Sequence, residues 1–366
     1  MKNCLVVILS LAYPGTMQAT ELELPDQKTA IAKLVEVGGK VEYGRKHEII
    51  SIDFEPCAEE WIYGGQIQVV AVNDKVLEQL KPFTNLQSIN IARTRATDSG
   101  IASLAELPLL RRIDLSYTTM GDKGLAHLTK LHRLEELILD GTPVSDNGLA
   151  LLKDMTRLRV LSLRGTSISN LGLANIQGLV NLEILRLGHE PDNAPRFRRR
   201  QVSSGIDDLK SLRRMGKMRE LTLDGHLIPN ETLVHLQGMS ELHHLDLSRT
   251  NVSDNGLDRL KKLPKLEILA LNHVSTISLA GWHIVSGMPH LRELSLTNAS
   301  IGDNGLKMLC NLTSLEKLVL DTYLGDDEPR ITDAGLEHVG KLSRLRELNL
   351  NGNGIGDAGT AHLKRV

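Results

Sequence analysis

The sequence predicts an α/β solenoid of stacked strand–helix repeats, and three observations predict it. First, eleven copies of the pattern L-x-x-L-x-L, with Ile or Met at some of the Leu places, begin at Leu86, Leu110, Leu134, Leu158, Leu182, Met218, Leu242, Leu266, Leu291, Leu315 and Leu345. Most intervals are 24 residues, a fixed period that marks a solenoid. Second, the apolar spacing changes within each period. Leu134, Leu137 and Leu139 alternate with Glu136, Ile138 and Asp140, which is strand periodicity. Leu149, Leu152 and Met155 then follow at a spacing of three, which is helical. Third, two polar columns keep time with the leucines. An Asp opens the helical half at Asp98, Asp122, Asp146, Asp254, Asp303, Asp333 and Asp357, with Asn170 and Asn230 in the same place. A glycine follows at Gly100, Gly124, Gly148, Gly172, Gly256, Gly305, Gly335 and Gly359.

The Asp column is expected to cap its own helices, because Asp and Asn accept hydrogen bonds from the first free N–H groups. The glycine column is expected where neighbouring repeats approach closely. No phosphate-loop pattern G-x-x-x-x-G-K-[ST] is present. One repeat cannot bury its own apolar side, so stacked repeats share a core. Strands then stand about 4.8 Å apart in a parallel sheet. Helices are wider than strands, so a horseshoe is expected, with strands on the concave face and helices on the convex face.

Residues 1–19 read as a signal peptide: Lys2, an apolar run from Cys4 to Tyr13, and Met17-Gln18-Ala19 at the cut. The run is shorter than the roughly 20 residues of a membrane span. Residues 20–85 read as an N-terminal cap. Its helix is expected over Gln27–Val37, ended by Gly38-Gly39. A strand is expected to begin near Val41 and Tyr43. Two irregular short repeats follow, around Ile49, Ile52 and Phe54 and around Ile67, Val70 and Val72. Residues 86–366 hold the eleven repeats. Val366 falls within the last helix, which predicts a partly open apolar edge there.

The phrases Val144–Leu149 and Val252–Leu257 (VSDNGL) and Ile331–Leu336 (ITDAGL) resemble the cysteine-containing, ribonuclease-inhibitor-like branch of leucine-rich repeat proteins. That branch usually carries Cys after the strand. This chain has Thr94, Thr118, Thr142, Thr166 and Thr250, a form similar to bacterial members. The resemblance spans residues 86–366. It implies a leucine-rich repeat fold and a protein-binding scaffold that engages its partner through the concave face.

The net charge of −2 gives no pointer to nucleic acid or an anionic membrane. Aromatic residues make up only 3% of the chain, which disfavours a carbohydrate platform. Cys57 and Cys310 stand about ten repeats apart at about 4.8 Å per strand. That is too far for a disulfide, which needs Cα atoms within about 7 Å.

Candidate partner-binding residues come from two places. On the concave columns, Ile138, Val160, Ile184, Ile268 and Val319 are apolar where solvent is expected, and Tyr117, Arg164 and Arg186 lie close to the first three. Two insertions, near 188–202 and 322–330, leave their repeats just after the strand. The first carries Arg196, Phe197, Arg198, Arg199 and Arg200, a composition suited to carboxylate or phosphate. The second carries Asp326, Asp327 and Glu328. Insertions at one point of a repeat emerge on one edge.

His226, His244 and His273, near Asp224 and Asp246, form a concave strip that could hold a ligand or metal, although no short metal motif supports it. No G-x-S-x-G elbow, Walker loop or dinucleotide fingerprint is present, so no catalytic residue and no cofactor are expected. The reading is an exported bacterial protein-binding scaffold without enzymatic activity. The alternatives are an intracellular adaptor that selects substrates for a larger complex, and a ligand- or metal-binding protein using the His/Asp strip.

Overall fold

The computed structural model describes residues 25–54, 72–189, 205–323 and 331–363. The signal segment, Cys57, Arg196 to Arg200 and the acidic residues 326–328 lie outside them. The chain divides into two compact units, one over residues 1–168 with 190–201 and one over 169–189 with 202–366.

The first unit opens with helix α1 (Pro25–Glu36). Gly38, with φ of 93°, ends it by taking a left-handed conformation that costs glycine little. Strands β1 (Lys40–Tyr43) and β2 (Ile49–Asp53) pair antiparallel as a hairpin. Strands β3 (Ser88–Asn90), β4 (Arg112–Asp114), β5 (Glu136–Ile138) and β6 (Val160–Ser162) then add in order, each parallel to the one before. Between them run helices α2 (Asp74–Leu77), α3 (Asp98–Leu104), α4 (Asp122–Leu128) and α5 (Asp146–Leu151).

The second unit repeats the plan. Its strands are β7 (Ile184–Gly188), β8 (Glu220–Asp224), β9 (His244–Asp246), β10 (Ile268–Ala270), β11 (Glu293–Ser295), β12 (Lys317–Val319) and β13 (Glu347–Asn349), parallel throughout. Its α-helices are α6 (Asn170–Asn175), α7 (Asp254–Leu260), α8 (Leu279–Ser286), α9 (Gly302–Leu309), α10 (Asp333–Val339) and α11 (Asp357–Thr360). In the repeat that begins at Met218 a 3-10 helix over Asn230–Gly238 replaces the α-helix. Pro229 stands at its N-cap, and no side chain caps it.

The pattern leucines are the core. Leu86, Leu110, Leu137, Leu185, Leu221 and Leu269 are all 0% exposed. The threonines after the strands are buried with them. The Thr118 and Thr142 hydroxyls donate to Leu115 O and Leu139 O at 2.8 and 2.6 Å, closing each strand-to-helix turn with a bond that needs no water. In the last repeat Leu348 and Leu350 are only half-buried, whereas their counterparts Leu294 and Leu296 are 1% exposed.

The Asp column does not cap its own helices, which corrects the sequence expectation. The N-cap is one residue earlier: Thr97, Ser145, Ser278 and Thr332 each accept from the N–H two residues on. Asp sits in the first helical turn and reaches sideways to the next repeat. Asp122 Oδ1 accepts from Ser145 N at 2.9 Å, and Oδ2 from the Ser145 hydroxyl at 2.5 Å. Asp74 holds Thr97 in the same way, Asp254 holds Ser278, and Asp303 holds Thr332. The Ser or Thr hydroxyl that caps the neighbouring helix donates its own proton to this Asp, so cap and clamp share one side chain. These bonds to an ionised acceptor are stronger than neutral ones.

The glycine column makes this clamp possible. A Cβ on Gly148 would stand 2.3 Å from Asp122 Oδ1, and one on Gly335 would stand 2.3 Å from Asp303 Oδ1. The close approach expected at these glycines is therefore an approach to the clamping carboxylate. Where Leu279 takes the Asp place, the following helix starts differently. Ile301 at its N-cap is helical (φ −76°, ψ −42°) instead of extended, and Gly302 takes φ of 58°.

Candidate protein-binding face

Alternation along each strand puts every second side chain on the open side of the sheet. In the first unit that face carries Arg112 and Asp114 from β4, Glu136 and Ile138 from β5, and Val160 and Ser162 from β6. The register pairs Arg112 with Glu136, Glu136 with Val160, and Ile138 with Ser162. Opposite charges face each other across strands: Arg112 meets Glu136 at 2.6 Å.

The apolar members were expected to face solvent, but they are half-buried. Ile138, Val160, Ile184, Ile268 and Val319 all fall in this intermediate range. Side chains on strands about 4.8 Å to either side shield them. Tyr117 is covered further, at 6% exposure. It has φ of 58°, and the Arg93 guanidinium lies 5.4 Å from its ring centroid. The ring is thus more a floor than a projecting anchor.

Beyond β5 and β6 the chain turns, and side chains take over the strand hydrogen bonds. Asp140 Oδ1 accepts from the Ser162 hydroxyl at 2.6 Å and from Arg164 N at 2.9 Å. Burial pushes the Asp140 carboxyl above the ordinary carboxylate range, while the hydrogen bonds and the nearby Arg164 pull the other way. The Arg164 side chain is half-buried, and its Nε is closed off from solvent without an acceptor. Sequence reasoning singled out Arg164 but missed Asp140 as its companion. The available signal was their place 24 residues apart, as successive members of one column of the repeat.

In the second unit, Ile184 and Arg186 stand on β7. Arg186 forms a two-point pair with Glu220 of β8, at 2.6 and 3.2 Å. Asp224 forms another with Arg249, at 2.9 and 2.6 Å. The histidine strip does not converge. His226 is 2% exposed, in the column that holds Thr elsewhere, and neither ring nitrogen has a partner. Burial, and secondarily His189, lowers its pKa to about 4. His273 Nδ1 lies 3.4 Å from Asn298 Nδ2, and Asp224 is taken by Arg249. Among the described residues no group of three or more His, Cys, Asp or Glu side chains is placed to hold a metal ion. An open groove of about 470 Å³ in this unit is lined by Lys265, Glu267, His290, Arg292, Glu316 and Arg344, with Arg292 bridging to Glu316 at 2.8 Å. Among the described residues no helix is long and apolar enough to cross a membrane.

Repeat, core and ordered parallel strands together define an α/β leucine-rich repeat solenoid. The family model described as Leucine Rich repeat matches residues 106–128, 240–261, 287–310 and 342–360. By fold the chain is similar to an internalin (inlF) of Listeria monocytogenes str. 4b F2365, at 18% identity and TM-score 0.52, over 79% of this chain and 87% of that one. It is also similar to TLR13 in a complex with ssRNA13, at 19% identity and TM-score 0.54, over 81% of this chain and 40% of that one. No curated protein matches by sequence.

Proposed function

We propose that this chain is an exported bacterial scaffold without enzymatic activity, which binds a protein through the open face of its strands and through the insertions near 188–202 and 322–330. The observation that carries the reading is the strand face itself. Within each unit, in-register parallel strands present columns of half-buried aliphatic and charged side chains on a backbone whose hydrogen bonds are already made. Such a surface needs little reorganisation on binding, which limits the entropic cost. Leucine-rich repeat proteins commonly serve this role, and the internalin neighbour comes from a bacterium. A nucleic-acid ligand, as in the TLR13–ssRNA13 complex, is disfavoured here by the net charge of −2.

A photo-crosslinking residue placed at Ile138 or Val160, compared with one at Lys153 on the helix side, tests the reading in the native cell envelope. The expected result is one reproducible protein adduct from the strand positions and none from Lys153. Adducts of equal yield from both sides, or none from either, refute it. Replacing Arg196, Arg198, Arg199 and Arg200 by Ala then assigns the insertion: a lost adduct makes it part of the recognition surface.

A further inference from the structure

We propose that Arg164 receives a carboxylate of the protein partner, so that the strand face around β5 and β6 selects an acidic segment with an aliphatic neighbour. The inference rests on the scaffold reading and names what that surface recognises.

Other strand-face cations are already neutralised. Arg112 pairs with Glu136 at 2.6 Å, Arg186 with Glu220 at 2.6 Å, and Lys317 with Glu347 at 3.0 Å. Among the described residues the Arg164 guanidinium has neither an ion pair nor a hydrogen-bond acceptor. Its Nε is shut off from water and from any partner, so the terminal Nη groups of this half-buried side chain are the ones a carboxylate can reach. The adjacent carboxylate, Asp140, attracts it but makes no side-chain hydrogen bond to it. Its Oδ1 is committed to the Ser162 hydroxyl and to the Arg164 backbone N–H. Burial raises the Asp140 pKa, while its hydrogen bonds and the Arg164 charge lower it.

The surroundings give access. Gly141 and Gly165 occupy the left-handed positions (φ 63° and 67°) at which earlier repeats carry Arg93 and Tyr117. No side chain therefore rises beside Asp140 or Arg164 from those two positions. Ile138 and Val160, half-buried on neighbouring strands, supply an apolar flank. A guanidinium matches a carboxylate in a two-point geometry, and partial burial strengthens the bond. Asp114, Glu136 and Asp140 on the same face oppose a polyanion but leave room for a single carboxylate.

The test is selection of a random dodecapeptide phage library on the immobilised full chain, followed by calorimetry with the synthesised winners. The expected winners carry Asp or Glu beside an aliphatic residue. Arg164→Gln, or Asn/Gln in place of the peptide acid, weakens them by about 10-fold to 100-fold, as for one charge-assisted hydrogen-bonded contact. Lys153→Ala leaves binding unchanged. Arg164→Ala serves as a second variant, and the urea midpoint of each variant shows that it is folded. Winners that bind Arg164→Gln and Arg164→Ala as tightly as the natural chain refute the proposal. If those winners are still lost on Ile138→Glu, the strand-face scaffold stands and only the carboxylate assignment fails. No winner at all refutes both. A labelled single-stranded RNA that binds the natural chain and is released by Arg164→Gln makes the occupant a phosphate and overturns the choice of a carboxylate.

Discussion

Substituting Gly148 by Ala reports directly on the clamp between repeats. Gly148 is not in the left-handed region, so alanine suffers no backbone strain there, and on propensity alone it favours the helix by about 1 kcal/mol. Its Cβ, however, would stand 2.3 Å from Asp122 Oδ1, the oxygen that accepts from Ser145 N. The carboxylate must leave, and two hydrogen bonds to a charged acceptor go with it. Such bonds contribute about 1.5–3 kcal/mol each, so after the propensity gain a net loss of about 2–5 kcal/mol is expected. The loss disappears when the carboxylate is absent. In an Asp122→Ala background, Gly148→Ala is expected to be neutral or stabilising by up to about 1 kcal/mol. The assay is a double-mutant cycle by equilibrium urea unfolding, in which two residues of one network show a large coupling term. If Gly148→Ala costs the same in both backgrounds, the crowding comes from elsewhere, with Val144 Cγ1 at 3.0 Å the next neighbour, and the clamp argument fails.

Four further outcomes are expected. His226 has its folded-state pKa depressed to about 4 from 6.5, so the unfolded chain takes up a proton first as pH falls. Stability is then full above about pH 6.5 and declines towards pH 4 by about 3 kcal/mol in all. Urea midpoints at several pH values should show this decline, and His226→Thr should shrink it. Arg249→Ala strips the nearly buried Asp224 carboxylate of its two-point partner and should destabilise by about 2–4 kcal/mol, with Asp224→Asn partly restoring the double variant. Thr142→Val leaves Leu139 O without its 2.6 Å donor and should lower the thermal midpoint, at a cost of about 1 kcal/mol, whereas Thr142→Cys, which keeps a weak donor, should cost less. Sequencing the N-terminus of the protein recovered from cells should give Thr20, and an intact Met1 would support the intracellular adaptor instead.

Much of the fold was legible because it is periodic. Leu137 and Leu139 announce a strand by alternation, and Leu149 marks the change to helical spacing. The column of Gly100, Gly124 and Gly148 correctly marked where repeats crowd. What crowds them was misassigned. Asp122 is a sound helix-capping type, and local reasoning gave it to its own helix. Only the neighbouring repeat shows that Asp122 reaches across to Ser145, which caps the next helix. The 3-10 helix over Asn230–Gly238 was equally hidden, although Pro229 and the missing Asp–Gly pair were visible beforehand.

The candidate face divides along the same line. Sequence alone determined which side chains point out of the sheet, because a strand alternates whatever surrounds it. It therefore placed Ile138, Val160, Arg164 and Arg186 on one side of their strands. Tertiary structure alone decided how each is used. Whether an arginine meets a glutamate depends on which residue the adjacent strand brings alongside, about 4.8 Å away in space but some 24 residues away in the chain. That register neutralises Arg112 and Arg186, buries Tyr117 beneath Arg93, strands His226 without a partner and leaves Arg164 unpaired.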